Sequence, residues 1–384
     1  MKQEIPVNIP PRLASLDALR GFDLFSLLFL GGFVNALARA AETPWLAAVN
    51  SQFQHVSWEG FAAWDLVMPL FMFMAGVSMP FSFAKYGNGT SLLPLYRRIL
   101  RRVVLLWIFG AICQGNLLAF DPARLRLYSN TLQAIAMGYA ITALLVLHLK
   151  KVRYLIAAAV GLLLLYWASI TFLQAGLSVP GSYERDTNLA EWIDRAVLQQ
   201  WRDGVSRDES GGWSFSEGYR YTWILSSLNF GVTVLSGYLA GFVLYNKQWV
   251  ASKKVRILAS CGVAMIAAGW LWSIEMPVIK MIWTSSMTLV SSGYCFLLMA
   301  LFYYLIDYKG YWKSTGWLRV IGMNSIVAYV LVQVVNFRAV SHSFLFGMEQ
   351  FMGDYYRVLL TVANFALLYG LLYMLHKNKL FIRL

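Results

Sequence analysis

Tyr154 to Leu173 reads YLIAAAVGLLLLYWASITFL, a stretch without a charge. A helix of about 20 residues covers the ~30 Å hydrocarbon core of a bilayer, and a helix satisfies its own backbone polar groups where no water can do so. Runs of this kind recur from Ala18 to Leu375. The 384-residue chain is 59% hydrophobic and only 13% charged, against roughly 25% charged residues in soluble domains. A soluble globular fold is therefore excluded.

Apolar runs bounded by charge give ten spans. They are Ala18 to Ala38, Gly60 to Phe83, Val103 to Phe120, Thr131 to Leu149, Tyr154 to Leu173, Tyr221 to Tyr245, Ile257 to Ile274, Ser285 to Ile306, Trp317 to Phe337 and Val358 to Leu375. The reading is an all-α polytopic membrane protein of about ten transmembrane helices, with residues 1–384 forming one transmembrane domain. The net charge of +13 would suit nucleic acid if it were evenly spread. Instead 21 of the 32 lysines and arginines fall in alternate loops, at Lys2–Arg20, Lys85–Arg102, Lys150–Arg153, Lys247–Arg256, Lys309–Arg319 and Lys377–Arg383. Positive residues are retained on the cytoplasmic side, so both termini are expected there and the His55 loop opposite. The partner implied is a lipid bilayer and not nucleic acid.

Cys113, Cys261 and Cys295 all fall in apolar runs without metal-ligand spacing, so neither a disulfide framework nor a metal is expected. The first dozen residues are polar and proline-marked, unlike a cleavable signal peptide. The one long extramembrane interval is Gln174 to Arg220. Its segment Leu189 to Trp201 is amphipathic, suited to lying at the interface or to packing on the loop itself. The run Gly204, Ser210, Gly211, Gly212, Ser214 reads as a flexible lid over an outward-facing cavity.

Ionisable groups inside a membrane cost at least ~2.5 kcal/mol each on insertion scales, so each one needs a reason. Asp17, Arg20 and Asp23 share one helical face, where Arg20 can bridge both acids, either as a structural knot or to hold a ligand. His55 lies just before the second span, Glu59 follows four residues on, and Asp65 lies within that span. A histidine fixed by a carboxylate can act as a general base or a nucleophile; a lone loop histidine can equally be a surface residue.

In Met276 to Ser286, Pro277 breaks any helix, leaving Lys280 beside Thr284, Ser285 and Ser286 at a membrane boundary. These are candidate donors to a developing oxyanion, or, for Lys280, a snorkelling anchor. Asn324 opens a further span as a cap or as a site group. Gln114, Asn116, Asn130, Gln133, Asn229 and Gln333 suggest a hydrated interior, each of them also explicable as an interhelical hydrogen bond. Trp58 and Trp64 can stack on a sugar or anchor the interface. His148, His342 and His376 carry no assigned chemistry. The cluster Arg97, Arg98, Arg101, Arg102 either meets phosphates or only marks the cytoplasmic side.

Taken in order, these motifs resemble the heparan-α-glucosaminide N-acetyltransferase family of transmembrane acyltransferases and its bacterial relatives. The matching residues are Arg12-Leu13 with Ser15-Leu16-Asp17 and Arg20-Gly21, then His55, Ser57-Trp58, Gly60, Asp65, Pro69, Phe71, Phe73 and Gly76. They continue with Leu132-Gln133, Ile135-Ala136 and Tyr139, then Lys280 with Trp283 to Ser286, and Gly322-Met323-Asn324-Ser325 with Tyr329. The resemblance implies a ten- or eleven-helix enzyme that moves acetyl groups from cytosolic acetyl-CoA to a terminal glucosamine on the far side. By that resemblance His55 is the active histidine and Asp65 its embedded acid, with Glu59 a competing partner. Lys280, Trp283, Ser285, Ser286, Asn324 and Arg20 are expected toward the donor, and Trp58, Asp17 and Asn35 toward an amino sugar or glycan end.

One departure concerns the acceptor. The family commonly has an Asn where this chain has Gly31, and Asn35 is one turn on. O-acylation of envelope glycans, or a transporter without catalysis, are the alternative functions. A bacterial cytoplasmic membrane is the expected location, and a homodimer is compatible with the sequence.

Overall fold

The computed structural model describes residues 13–381 apart from 85–91, 115, 116, 118, 119, 209, 211, 217–220, 312 and 313. Arg12, Asn116, Gly211 and the loop charges Lys2, Lys85, Arg220, Lys313 and Arg383 lie outside the described residues. The elements are α1 (Ala14–Ala41), α2 (Pro44–Ser51), α3 (Ala63–Phe83), α4 (Leu93–Cys113), α5 (Thr131–His148), α6 (Val152–Phe172) and α7 (Leu189–Leu198). They continue with β1 (Val205–Arg207), β2 (Trp213–Phe215), α8 (Ser227–Tyr245), α9 (Ala251–Trp272), α10 (Ser285–Tyr308), α11 (Gly316–Met323), α12 (Ser325–Val334), α13 (Phe337–Leu345), α14 (Glu349–Met352) and α15 (Tyr356–Lys377).

Among the described residues eight helical stretches are long and apolar enough to cross a bilayer, or nine if the pair α11 and α12, bent by 69°, is one span. The all-α polytopic reading holds, and the chain is an integral membrane protein. The 21-residue α4 falls outside that count because Arg97, Arg98, Arg101 and Arg102 occupy its first half. Its length still suits a crossing, with the arginines at one end.

Helices in lipid gain little from apolar burial against each other, so close backbone approach does much of the packing. α3 and α8 meet at Gly76 and Gly237: a Cβ on either would stand 1.9 Å from a carbonyl oxygen of the other helix. α1 and α11 meet in the same way at Gly21 and Gly322, where a Cβ would lie 1.8 Å from Leu318 O or Asp17 O. Large apolar side chains such as Leu165 on α6 and Leu271 on α9 face outward. The densest cluster lies between α3, α4, α5 and α8, around Met72, Tyr139, Phe230 and Trp283.

Two loop expectations resolve. The amphipathic segment forms α7, burying Leu189, Ala190, Glu191 and Asp194, and packs both on its own loop near Tyr183 and on α6 at Tyr166 and Ile170. The expected flexible run instead holds a two-stranded antiparallel hairpin, with Val205 paired to Phe215 and Arg207 to Trp213.

Candidate active site

The loop from Ser51 to Ala63 is pinned from both sides. Trp64 N donates to Gln52 O at 2.9 Å, and Gly60 N donates to Val278 O at 2.8 Å. Gly60 takes φ +119°, which favours glycine. Residue 59 forms an isolated antiparallel bridge with Ile279, which ties this loop to the turn carrying Lys280. That turn is held from within: Thr284 Oγ1 and Ser286 Oγ both donate to Pro277 O, at 2.9 and 3.0 Å.

The two loops bring His55, Asp65 and Lys280 together. His55 Nδ1 lies 2.7 Å from Asp65 Oδ1, Lys280 Nζ lies 3.4 Å from the same oxygen, and Ala62 N donates to Asp65 Oδ2 at 3.0 Å. A carboxylate only accepts, so the shortest contact assigns the proton of a neutral imidazole to Nδ1. Lys280 Nζ is also 3.1 Å from Nδ1. An N–H cannot accept, so Lys280 is left to Asp65. Nε2 remains as the basic nitrogen. The Asp65 side chain is 2% exposed and that of Lys280 8%, while His55 is 40% exposed and lines a cavity of about 360 Å³. Burial draws the Lys280 ammonium down to about 8, while the nearby Asp65 carboxylate pulls the other way. The sequence grouped Lys280 with the donor; the fold makes it a partner of Asp65 and places it in the His55 cavity.

The other walls of this cavity include Trp64, Gln114, Asn130, Asp203, Tyr221 and Gln333. Asp203 and Tyr221 come from the long loop and carry no periodic signal that would have singled them out. Trp64 fits against Gly31: a Cβ there would come within 2.4 Å of the indole.

On the other side of a shared wall is a second cavity of about 240 Å³, lined by Arg20, Arg98, Arg102, Ser78 and Ser82. Phe71, Thr131 and Tyr329 line both cavities. The arginine cluster divides by helical phase. Arg98 and Arg102, four residues apart, line the cavity, while Arg97 and Arg101 do not; of the four only Arg102 is half-buried. The serines Ser78 and Ser82, also four apart, did not enter the sequence reading; their spacing in an apolar span is the signal that could have found them.

The remaining sequence candidates are placed elsewhere. Glu59 is exposed, and no side-chain bond to His55 is found among the described residues. Trp58 is buried against Ile279 and Ile282 and donates from Nε1 to Tyr183 O at 3.1 Å, outside the cavity lining. Trp283 packs edge-on to Phe230, and Ser285 Oγ donates to Leu163 O at 2.9 Å. Ser285 and Ser286 are both fully buried, and Ser286 serves the turn while Ser285 ties it to α6.

Asn324 is buried at the α11/α12 bend and donates from Nδ2 to Leu380 O at 3.1 Å. Its neighbours Met323 and Ser325 line the arginine cavity. Asp17 pairs with Arg20 at 3.7 Å, but Asp23 does not, so the expected two-acid bridge is half formed. Asn35 lines a separate cleft. Gln133 and Asn229 are structural: Gln133 Oε1 accepts from Ser129 N, and Asn229 Nδ2 donates to Trp283 O. No group of three or more metal-binding side chains occurs among the described residues.

No family model matches the chain. Two curated proteins are similar to it, both named heparan-alpha-glucosaminide N-acetyltransferase. The human protein is 27% identical over 369 residues, covering 84% of this chain and 53% of its own length. The mouse protein is 24% identical over 416 residues, covering 96% of this chain and 60% of its own. The chain thus spans somewhat over half the length of these relatives. They support the family read from the motifs.

Proposed function

We propose that this relative of the heparan-α-glucosaminide N-acetyltransferases is a transmembrane acetyltransferase that moves an acetyl group from acetyl-CoA to the amine of a glucosamine-type sugar. The observation that carries this reading is a carboxylate-bound histidine lining one cavity that shares Phe71, Thr131 and Tyr329 with a second cavity lined by three arginines. In it, Arg20, Arg98 and Arg102 hold the donor's phosphates on the cytosolic side, where planar guanidiniums match phosphate oxygens bidentately. The thioester arm passes the shared wall toward His55, and the sugar occupies the His55 cavity from the opposite side of a cytoplasmic membrane.

The chemistry asks little more of the protein. The amine attacks the thioester carbonyl, the N–C bond forms and the C–S bond breaks. Nε2 of His55 takes the amine proton and returns it to the leaving sulfur. If Nε2 instead attacks first, the acetyl group rides on the imidazole before reaching the amine. Both routes need the tautomer that Asp65 enforces. Protonated Lys280, in the same cavity, offers charge to the developing oxyanion.

The test is coenzyme A thiol release by purified protein given acetyl-CoA and glucosamine. His55→Ala is expected to lower the rate by about 10²- to 10⁴-fold, the usual worth of a positioned acid or base. Release undiminished in His55→Ala would defeat the assignment. Radiolabel retained on the protein without an acceptor separates the acetyl-imidazole route from direct transfer. Glucose in place of glucosamine tests O-acylation.

A further inference from the structure

Three arginines that the acetyl-transfer site does not use converge on the His55 side of the molecule. Arg39 comes from the last turn of the first span, Arg338 from α13 and Arg357 from the first turn of α15, and all three line one cavity of about 370 Å³ with Asn35 and Asn364. Among the described residues no carboxylate pairs with any of them, whereas Arg195, Arg202 and Lys280 on the same side each have one. The three arginines are exposed and line one space without a carboxylate, so that space carries a positive potential that attracts an anion. Asn35, expected to meet the acceptor, belongs to this cavity.

The basic cavity neighbours the site through shared lining residues. Leu28, Arg338 and Asn364 also line a cleft of about 420 Å³, and Gln333 is common to that cleft and the His55 cavity. The rest of the cleft is largely apolar, including Val332, Val334, Val335, Phe337, Phe365 and Leu368. Close by in sequence, Phe344, Phe346 and Phe351 are 66–81% exposed around α13 and α14, as suits side chains lying in the membrane interface. A basic cavity, an apolar cleft and a lipid-facing rim form the outline of a phosphate-bearing amphiphile.

We propose that Arg39, Arg338 and Arg357 form the anion subsite for a membrane-borne acceptor, an amino sugar joined to a lipid through a phosphodiester. The sugar reaches His55, the phosphate rests on the arginines, and the chain leaves along the apolar cleft into the bilayer. This rests on the acetyl-transfer reading only for the place of the sugar.

The probes are three glucosamine derivatives: the octyl phosphodiester of glucosamine 1-phosphate, its methyl counterpart, and uncharged octyl glucosaminide. Their binding to the full chain is measured by calorimetry in neutral detergent. The octyl phosphodiester is expected to bind about tenfold or more tightly than octyl glucosaminide, as a charge-assisted bond to arginine allows. That gain shrinks with added salt and is lost in Arg338→Gln/Arg357→Gln. Octyl glucosaminide binds the variant as it binds the wild type. A thermal melt checks the fold of the double variant, and Arg39→Gln alone provides a second, milder test.

The proposal is overturned if the phosphate brings no gain or if the gain survives in the variants. It is also overturned if the methyl ester binds as well as the octyl ester, which would mark a soluble anionic acceptor. Phosphatidylglycerol retained by the wild type and lost from the variants, with no gain for the ester, would mark a structural lipid and likewise sink it. Binding needs no turnover, so absent thiol release with this pattern intact would count against acetyl transfer alone.

Discussion

Asp65 and Asp194 are both buried to 1% exposure or less on the same side of the protein, and the fold uses them in opposite ways. Asp194, on α7, accepts from Trp223 N at 2.7 Å and Ile224 N at 3.0 Å, so each of its oxygens ends on backbone. Around it Arg202 pairs with Glu191 at 2.9 Å, and Arg195 with Glu191 at 2.9 Å. Asp65 spends one oxygen on Ala62 N and gives the other to two side chains, one of which opens onto a cavity. A carboxylate ending on backbone is a clamp. One ending on an imidazole passes its charge to whatever that ring touches. Burial, which both share, does not separate a structural acid from a functional one; the mobility and outlook of the partner do.

The largest effect expected from this contrast is an exchange of phenotypes. Asp65→Asn can no longer fix the Nδ1–H tautomer by charge and leaves the Lys280 ammonium without its counter-charge, so thiol release should fall by about 10²- to 10⁴-fold even in the fraction that stays folded. Asp194→Asn loses one acceptor for a buried N–H, which costs about 1–3 kcal/mol of stability, with kcat held within a few fold. Equal losses of activity in both variants would erase the distinction.

Lys280 sharpens the comparison because it pairs with Asp65 itself and lines the cavity, whereas Arg202 near Asp194 pairs with Glu191. With the ammonium drawn down to about 8, its charge disappears as pH rises through that value. The expected outcome is a kcat that declines above pH 8 in the wild type. Lys280→Gln should start about tenfold lower and show no such limb. A limb at pH 8 that persists in Lys280→Gln would assign it to another group.

A smaller effect comes from the cavity wall, without touching Asp65. Because a Cβ at Gly31 would come within 2.4 Å of the Trp64 ring, Gly31→Asn must displace the indole. KM for the sugar is expected to change by a few fold while kcat changes less. Trp64→Ala should make Gly31→Asn nearly neutral, since the two residues compete for one space. Additive effects in the double variant would show that the ring does not set the acceptor's room.

The spans were legible in the sequence for a physical reason, whereas spacing only offered His55 with Asp65 or Glu59 and the family resemblance chose Asp65. Lipid forces long apolar helices, and a histidine followed by an embedded acid stands out against them. The turn from Met276 to Thr284 was not legible in the same way. Pro277 removes the helical phase that would say which side chain points where, so Lys280, Ser285 and Ser286 could only be grouped together. In the fold the serines tie the turn or the neighbouring helix while the lysine leaves for the cavity. Asp203 and Tyr221 escaped because a loop wall has no period at all. Trp58 and Trp64 are alike in composition and opposite in use, one bonded to Tyr183 O and one facing the cavity, which only tertiary contacts decide.

The last effect bears on stability and not on turnover, and is the pH dependence of the clamp. Burial pushes the Asp194 carboxyl up to about 7, against the two backbone N–H donors and Arg202, which favour the ionised form. An acid whose pKa is higher folded than unfolded holds its proton longer in the native state, so the native state binds more protons between about 4 and 7. Stability therefore falls as pH rises across that window and levels off above it. The wild type is expected to melt at a lower temperature at pH 7.5 than at pH 5 by the share due to this group. In Asp194→Asn, which has no proton to release, the slope should flatten even though the whole curve lies lower. A slope unchanged in the variant would mean that the backbone donors keep Asp194 ionised throughout, and that the clamp is held by charge as well as by hydrogen bonds.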